Sequence, residues 1–149
     1  MIAITPRPNR RRWGTVSFAS TLHLGPILDV LLAEIPNRWQ AELRLGLQEA
    51  LVNAAKHGNN LDPRKTVLVE FYRVDNAHWW IIADQGVGFD PSSPCTNNCN
   101  TQLFNEQEGC GRGLYILEQI FDQVQWNAQG TELRLCKQVR TRSRFPLVS

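Results

Sequence analysis

Ile81-Ile82-Ala83-Asp84-Gln85-Gly86-Val87-Gly88-Phe89-Asp90 is the stretch on which the reading of this chain turns. An apolar strand runs into a carboxylate, and two glycines follow at alternate positions. A carboxylate at a strand end can accept a hydrogen bond from an exocyclic amine, such as that of adenine. The glycines let the backbone approach a planar ligand closely. Taken alone, the stretch also reads as an ordinary strand exit, so its neighbours in the chain decide.

Upstream lies Glu49-Ala50-Leu51-Val52-Asn53-Ala54-Ala55-Lys56-His57. It belongs to a segment, 39–57, in which Trp39, Leu43, Leu47, Ala50, Leu51 and Ala54 recur at helical spacing. A helix is predicted there, stopped by Gly58, with Asn59, Asn60 and Pro63 beyond it. Glu49, Asn53 and His57 form one stripe, drifting by about 40° per step, that flanks the apolar face. Such positions look into a cleft beside the core. A carboxylate there can take a proton from a nucleophilic hydroxyl, and an amide oxygen suits Mg2+. The same residues also read as boundary polar groups of an amphipathic helix. Downstream, Gly109-Cys110-Gly111-Arg112-Gly113-Leu114-Tyr115-Ile116 opens a predicted helix over 114–121. Backbone amides at a helix N-terminus form an anion site aided by the helix dipole. No Gly-Lys-Ser/Thr follows, so this is not a Walker loop, and the context is not that of a Rossmann fingerprint.

Around these segments the pattern predicts a strand at 15–19 and a helix from Ser20 or Thr21 to Ile35, ended by Pro36. Residues 67–74 and 79–83 read as a hairpin turning at Asp75-Asn76. The polar stretch 90–108, with Pro91, Pro94, Asn97, Asn98 and Asn100, is too long for an ordinary connection and reads as a lid. Residues 124–127 and 131–136 form a closing hairpin around Gln129-Gly130. The order β-α-α-β-β-lid-α-β-β predicts one sheet covered by helices on one face. Trp79 and Trp80 must face opposite sides of it. One of them enters the core, and the other is a partly covered surface aromatic or a partner or dimer contact.

Composition bounds the alternatives. The chain has 149 residues, is 42% hydrophobic, and carries 16 Lys+Arg against 14 Asp+Glu. That fits one domain, 1–149, with a core large enough to need no disulfide or metal. A net charge of +2 disfavours both disorder and a strongly electrostatic nucleic-acid binder. Arg7, Arg10, Arg11 and Arg12 crowd the tail 1–13. Arg140, Arg142 and Arg144 crowd the tail 138–149, with Lys137 just before it. They read as solvated tails or as a docking patch for an acidic partner or nucleic acid. No apolar run is long enough for a membrane-spanning helix. His23, Pro26 and Asp29 interrupt any signal-like segment, so the expected location is cytoplasmic. The four cysteines are expected as free thiols in a reducing compartment. Cys95 and Cys99, spaced C-x3-C, give a weak metal signal.

Helical E-x-x-x-N, then strand–D-x-G-x-G-F, then a loop, then G-x-G-L-x-I, in that order, resembles the Bergerat-type ATP site of the GHKL superfamily. Its members include gyrase, heat-shock chaperones, histidine kinases and mismatch-repair ATPases. Within it the chain is most similar to the small anti-sigma-factor serine-protein kinases, over about residues 14–137. The resemblance implies an α/β fold, an α+β two-layer sandwich. Its sheet would have about five strands, mixed but mainly antiparallel, with three helices on one face and an ATP lid at about 90–110.

It also implies ATP and ADP as ligands, with Mg2+. Asn53 would hold the Mg2+, and Glu49 looks like the base that activates the acceptor serine. Asp84 would receive the adenine amino group, with Gly86 and Gly88 shaping that wall. Gly111 and Gly113 would let backbone amides meet the phosphates. Thr131 matches the polar residue near adenine, although a strand-starting threonine reads equally there. His57 matches a structural histidine at the helix end, and Lys56 is either a phosphate contact or solvated. Arg112 would stabilise charge on the γ-phosphate. Some members carry an arginine slightly earlier in the lid, where this chain reads Glu106-Gln107-Glu108-Gly109-Cys110.

The implied partners are a sigma factor, a STAS-type antagonist phosphorylated on serine or threonine, and a second copy of the chain. No membrane is implied, and direct nucleic-acid binding is not expected. Two other readings stay open: a non-catalytic, nucleotide-gated binding module, and a stand-alone histidine-kinase-type catalytic domain. No dimerisation helix with a phospho-acceptor histidine fits before Trp13, which disfavours the latter.

Overall fold

The computed structural model describes residues 3–4, 13–90 and 112–139. A two-residue strand, β1 (Ala3–Ile4), pairs with β2 (Gly14–Ala19). Along β2 the period of two turns Val16 and Phe18 into the core and leaves Thr15 and Ser17 half-exposed. Helix α1 (Gly25–Leu31) is shorter than the predicted 20–35, and neither Ser20 nor Thr21 caps it. Pro26 decides its start, because a proline's fixed φ and missing N–H suit the first helical turn. The Ser20 hydroxyl instead donates to the Lys65 carbonyl at 2.9 Å, and Thr21 Oγ1 accepts from the His23 amide at 3.1 Å. Between α1 and the next helix, Gln40 Nε2 donates to the carbonyls of Leu32 and Ile35, each at 2.7 Å. The Leu32 carbonyl also accepts from the Ile35 amide at 3.0 Å, so Gln40 adds a second bond to that turn and supplies the Ile35 carbonyl with a donor.

Helix α2 (Asn37–Val52) starts two residues before the predicted 39. It then widens into a π-helical turn, Asn53–Gly58, where a single α-helix to His57 was expected. Strands β3 (Thr66–Val74) and β4 (Ala77–Ala83) form the predicted hairpin, with Asp75 at φ 52° in its turn. Helix α3 (Arg112–Ile120), β5 (Gln123–Trp126) and β6 (Glu132–Gln138) complete the described elements.

The strands form a six-stranded open sheet in the order β1-β2-β3-β4-β6-β5. Every pairing is antiparallel, so the sheet holds the five expected strands plus the short β1 and has no parallel pair among the described strands. The three helices cover one face. Val16, Val67, Val69, Trp80, Leu133 and Leu135 meet Leu28, Leu43, Leu47, Leu51 and Leu117 there. Trp80 is 1% exposed, and its indole N–H donates to the Leu31 carbonyl at 3.3 Å. Trp79 lies on the opposite face, stacked on Tyr72 with ring centres 6.0 Å apart. The alternation of the two tryptophans is thus as the sequence requires.

Helix α2 approaches the end of α3 closely because Gly46 has no side chain. A Cβ there would lie 2.6 Å from the Phe121 ring. No helix among the described residues is long and apolar enough to cross a membrane. The lid beyond Asp90, its cysteines 95, 99 and 110, and most of both basic tails lie outside the described residues.

Candidate functional site

Asp84 stands at the exit of β4, the strand held between β3 and β6. Its amide donates to the Thr131 carbonyl at 2.9 Å, which extends the ladder with β6 by one rung. Alternation from Trp80 and Ile82 puts its side chain on the helix-covered side. Asp84 Oδ1 accepts from the Gly86 amide at 2.8 Å. Among the described residues, none donates a hydrogen bond to Oδ2. Burial raises the carboxyl's pKa, against the opposing pull of the Gly86 bond and the Lys65 charge. The group is therefore half-buried, fixed at one oxygen and ready to accept at the other.

The glycines around it are required first by contacts within the protein. A Cβ on Gly58 would collide with the Asp84 carboxylate, and one on Gly86 would collide with the Gly58 carbonyl. Helix end and strand exit therefore close on the carboxylate from two sides. Gly88 adopts φ +78°, and a Cβ there would strike the Gln129 carbonyl. The Phe89 amide donates to that same carbonyl at 3.0 Å, and the Phe89 ring sits edge-on to Trp126 with centres 4.8 Å apart. Clearance for a planar ligand was the reason expected for Gly86 and Gly88. The nearest atoms to their missing Cβ positions belong to Gly58 and Gln129 instead.

Thr131 reaches the same place through Asn127. Asn127 Oδ1 accepts from the Thr131 amide at 2.9 Å and the Glu132 amide at 3.2 Å, and its Nδ2 donates to Thr131 Oγ1 at 3.1 Å. The turn after β5 is thereby fixed, and Asp84, Gly86, Gly88 and Thr131 are brought together.

Glu49 and Asn53 are half-exposed, at the end of α2 and the first position of the π turn. Short π segments inside helices recur at functional sites. Here the wider turn changes the projection, so the stripe predicted from a 3.6-residue period holds from Glu49 to Asn53 and does not carry on to His57. His57 is exposed, and its pKa is lowered by partial burial and by the neighbouring Lys56 charge. Two left-handed residues, Asn60 at φ 53° and Leu61 at φ 55°, follow the π turn. The Leu61 amide returns to the Ala55 carbonyl at 2.8 Å.

Asn59 is the residue that sequence reasoning passed over. It read as part of the stop signal beyond Gly58, yet it is fully buried. Its Nδ2 donates to Ser20 Oγ and to the Thr66 carbonyl, both at 2.9 Å, and its Oδ1 accepts from the Gln85 amide at 2.7 Å. Gln85 Oε1 in turn accepts from the Thr66 amide at 2.8 Å. Its role could not be read from spacing, because its partners come from three separate places in the chain.

Gly111 lies outside the described residues. Arg112 and Gly113 open α3, which places backbone amides of that segment at a helix N-terminus, while their side chains lie outside the description. The residues present fit an adenine nucleotide: an acceptor oxygen with no donor among the described residues, walled by glycine backbone, stands ready for an amino group. Among the described residues no group of three or more His, Cys, Asp or Glu side chains could hold a metal. A Mg2+ ion bound through one amide oxygen, phosphate oxygens and water needs no such group. A family profile described as "Histidine kinase-like ATPase domain" matches residues 27–137. No protein of curated function matches the chain.

Proposed function

From the premise that the chain belongs to the histidine kinase-like ATPase domain family, and is therefore an ATP-binding domain of the GHKL type, we propose that it is an Mg2+-ATP-dependent serine/threonine protein kinase acting as an anti-sigma regulatory factor. One observation carries the catalytic part of this reading. Glu49 stands one helical turn before Asn53, on the same half-exposed stripe, where a pure binding module has no need of a base. In this scheme Asp84 Oδ2 accepts from the adenine amino group, and the Asn53 amide oxygen would hold Mg2+. The ion, when bound, offsets phosphate charge. Amides at the start of α3 meet the phosphates. Glu49 accepts the proton of a protein hydroxyl as its oxygen attacks the γ-phosphorus, and the β–γ bridging P–O bond breaks to release ADP.

The proposed partners are a sigma factor, a STAS-domain antagonist and a second copy of this chain, and the proposed setting is the cytoplasm. Phosphorylation would part the antagonist from the kinase, because it adds about −1.5 to −2 charge to an interface packed around a neutral hydroxyl. The test mixes the protein with γ-labelled ATP, Mg2+ and each STAS-domain protein of the same genome. Label on one serine or threonine, lost with Glu49→Gln, is the expected result. ATP binding without transfer would favour a nucleotide-gated binding module instead. Val87, fully exposed at the tip of the Asp84 loop, and Phe89, 41% exposed, would then be the first contacts to examine.

A further inference from the structure

The side chains and backbones of Asn59, Thr66 and Gln85 close a ring of hydrogen bonds. Asn59 donates to the Thr66 carbonyl, the Thr66 amide donates to Gln85 Oε1, and the Gln85 amide donates back to Asn59 Oδ1. The ring joins the end of the π turn, the start of β3 and the first residue beyond Asp84. Ser20, which itself donates to the Lys65 carbonyl, ties it to the end of β2. Within the ring the Asn59 amide uses both of its N–H donors and one oxygen lone pair, with no exposed surface. The peptide that Asn59 holds joins Asp84 to Gln85. The peptide beyond it leads to Gly86, whose amide grips Asp84 Oδ1. Asn59 thereby acts on the direction in which Asp84 Oδ2 is presented, without touching any ligand.

We propose that Asn59 is a positioning residue for nucleobase selection: by holding the Gln85 amide it aims the Asp84 carboxylate at an amino group and away from a carbonyl. The proposal rests on the nucleotide-site reading above. Adenine presents an amino group where guanine presents a carbonyl oxygen, so a fixed acceptor favours the first and repels the second. An acceptor that can swing away discriminates less.

The test compares ATP and GTP dissociation constants by calorimetry for the wild-type chain, Asn59→Ala, Asn59→Asp and Val16→Ala. Val16→Ala truncates a fully buried core residue on β2 and controls for lost stability. The wild-type chain is expected to prefer ATP. Asn59→Ala should shrink that preference about tenfold, a change of about 1.4 kcal/mol. Val16→Ala should keep it even when equally destabilised. Asn59→Asp retains an acceptor for the Gln85 amide, and burial favours its protonated form, which can still donate. It should therefore restore most of the preference.

An unchanged ATP:GTP ratio in folded Asn59→Ala would overturn the assignment while leaving the nucleotide site intact. Failure of the wild-type chain to bind ATP would instead remove the reading on which the assignment rests. If Asn59→Ala does not fold, amide exchange in the wild-type chain decides. By linkage, a bond that aids ATP binding must itself be strengthened by ATP. The Gln85 amide should gain protection with ATP and less with GTP, and equal protection would overturn the proposal.

Discussion

Asp84 carries two demands that oppose one another. In the proposed nucleotide site it must stay half-buried to wall the ligand, and it must stay ionised so that Oδ2 accepts from the adenine amino group. Burial raises its pKa in the folded chain above the ordinary aspartate value of about 3.9. Below that value both states are protonated and nothing is lost. As pH rises from there through the raised folded pKa, the folded state must ionise a group that the unfolded state ionises more easily, so stability falls. Asp84→Asn keeps an oxygen for the Gly86 amide and never ionises. Its urea midpoint at pH 7 should exceed that of the wild-type chain, and the difference should vanish near pH 3. The same variant puts an N–H donor where Oδ2 was, facing the donor of the adenine amino group. ATP affinity should fall by at least about tenfold, or 1.4 kcal/mol. A variant that is less stable at pH 7 would show that the Gly86 and Lys65 attractions outweigh burial.

The connection from α2 to β3 is the element in which sequence and structure part company. Apolar residues at helical spacing, from Leu43 through Ala54, made the helix legible, because each buried side chain adds to one periodic stripe. The hairpin of β3 and β4 and the turn at Gln129-Gly130 were legible for the same kind of reason: alternation and turn chemistry are local. The π turn was not legible, because the apolar pattern through Ala54 and Ala55 fits either turn width. That Asp84, Gly86, Gly88 and Thr131 would be brought together could be read from their order in the chain. Asn59 and the close approach of Gly58 to Asp84 could not, since both depend on a strand exit that lies more than twenty residues away. Beyond the wide turn stands Leu61 at φ 55°, a conformation that costs a non-glycine residue roughly 1–2 kcal/mol. Leu61 is 39% exposed and is not among the hydrophobic side chains packed on the core, so truncating it forfeits only part of what a core leucine would lose. Leu61→Gly removes the clash and pays back part of the gain, roughly 0.5–1 kcal/mol, in unfolded-chain entropy. Equilibrium urea unfolding should show a stabilisation of up to about 1 kcal/mol, with ATP affinity unchanged. A loss instead would mean that the Leu61 side chain anchors the turn.

Across the whole molecule, the site hangs on a sheet whose central strands must stay paired for Asp84 and Thr131 to meet. Strand β6 lies between β4 and β5, and Cys136 sits on it opposite Trp79 and Gln123. Its thiol is 1% exposed, and its pKa is pushed up to about 11 by burial and by the Asp122 charge. At pH 8 only about a thousandth of such a thiol is ionised, and only the thiolate reacts readily. Alkylation of Cys136 thus reports how often this part of the sheet opens. With Cys95, Cys99 and Cys110 changed to serine, iodoacetamide should label the native chain far more slowly than the urea-unfolded chain. In the proposed site, nucleotide bound beside Asp84 adds a further term. If β6 is exposed only by global unfolding, ATP slows labelling by the factor 1 + [ATP]/Kd, about a hundredfold at one hundred times Kd. If β5 and β6 open locally while Asp84 keeps its ligand, the labelling rate will not respond to ATP. The expected result is the hundredfold slowing, because the Asp84 amide is bonded to Thr131 at the start of the same strand. In the proposed site, nucleotide cannot stay bound while β6 leaves the sheet.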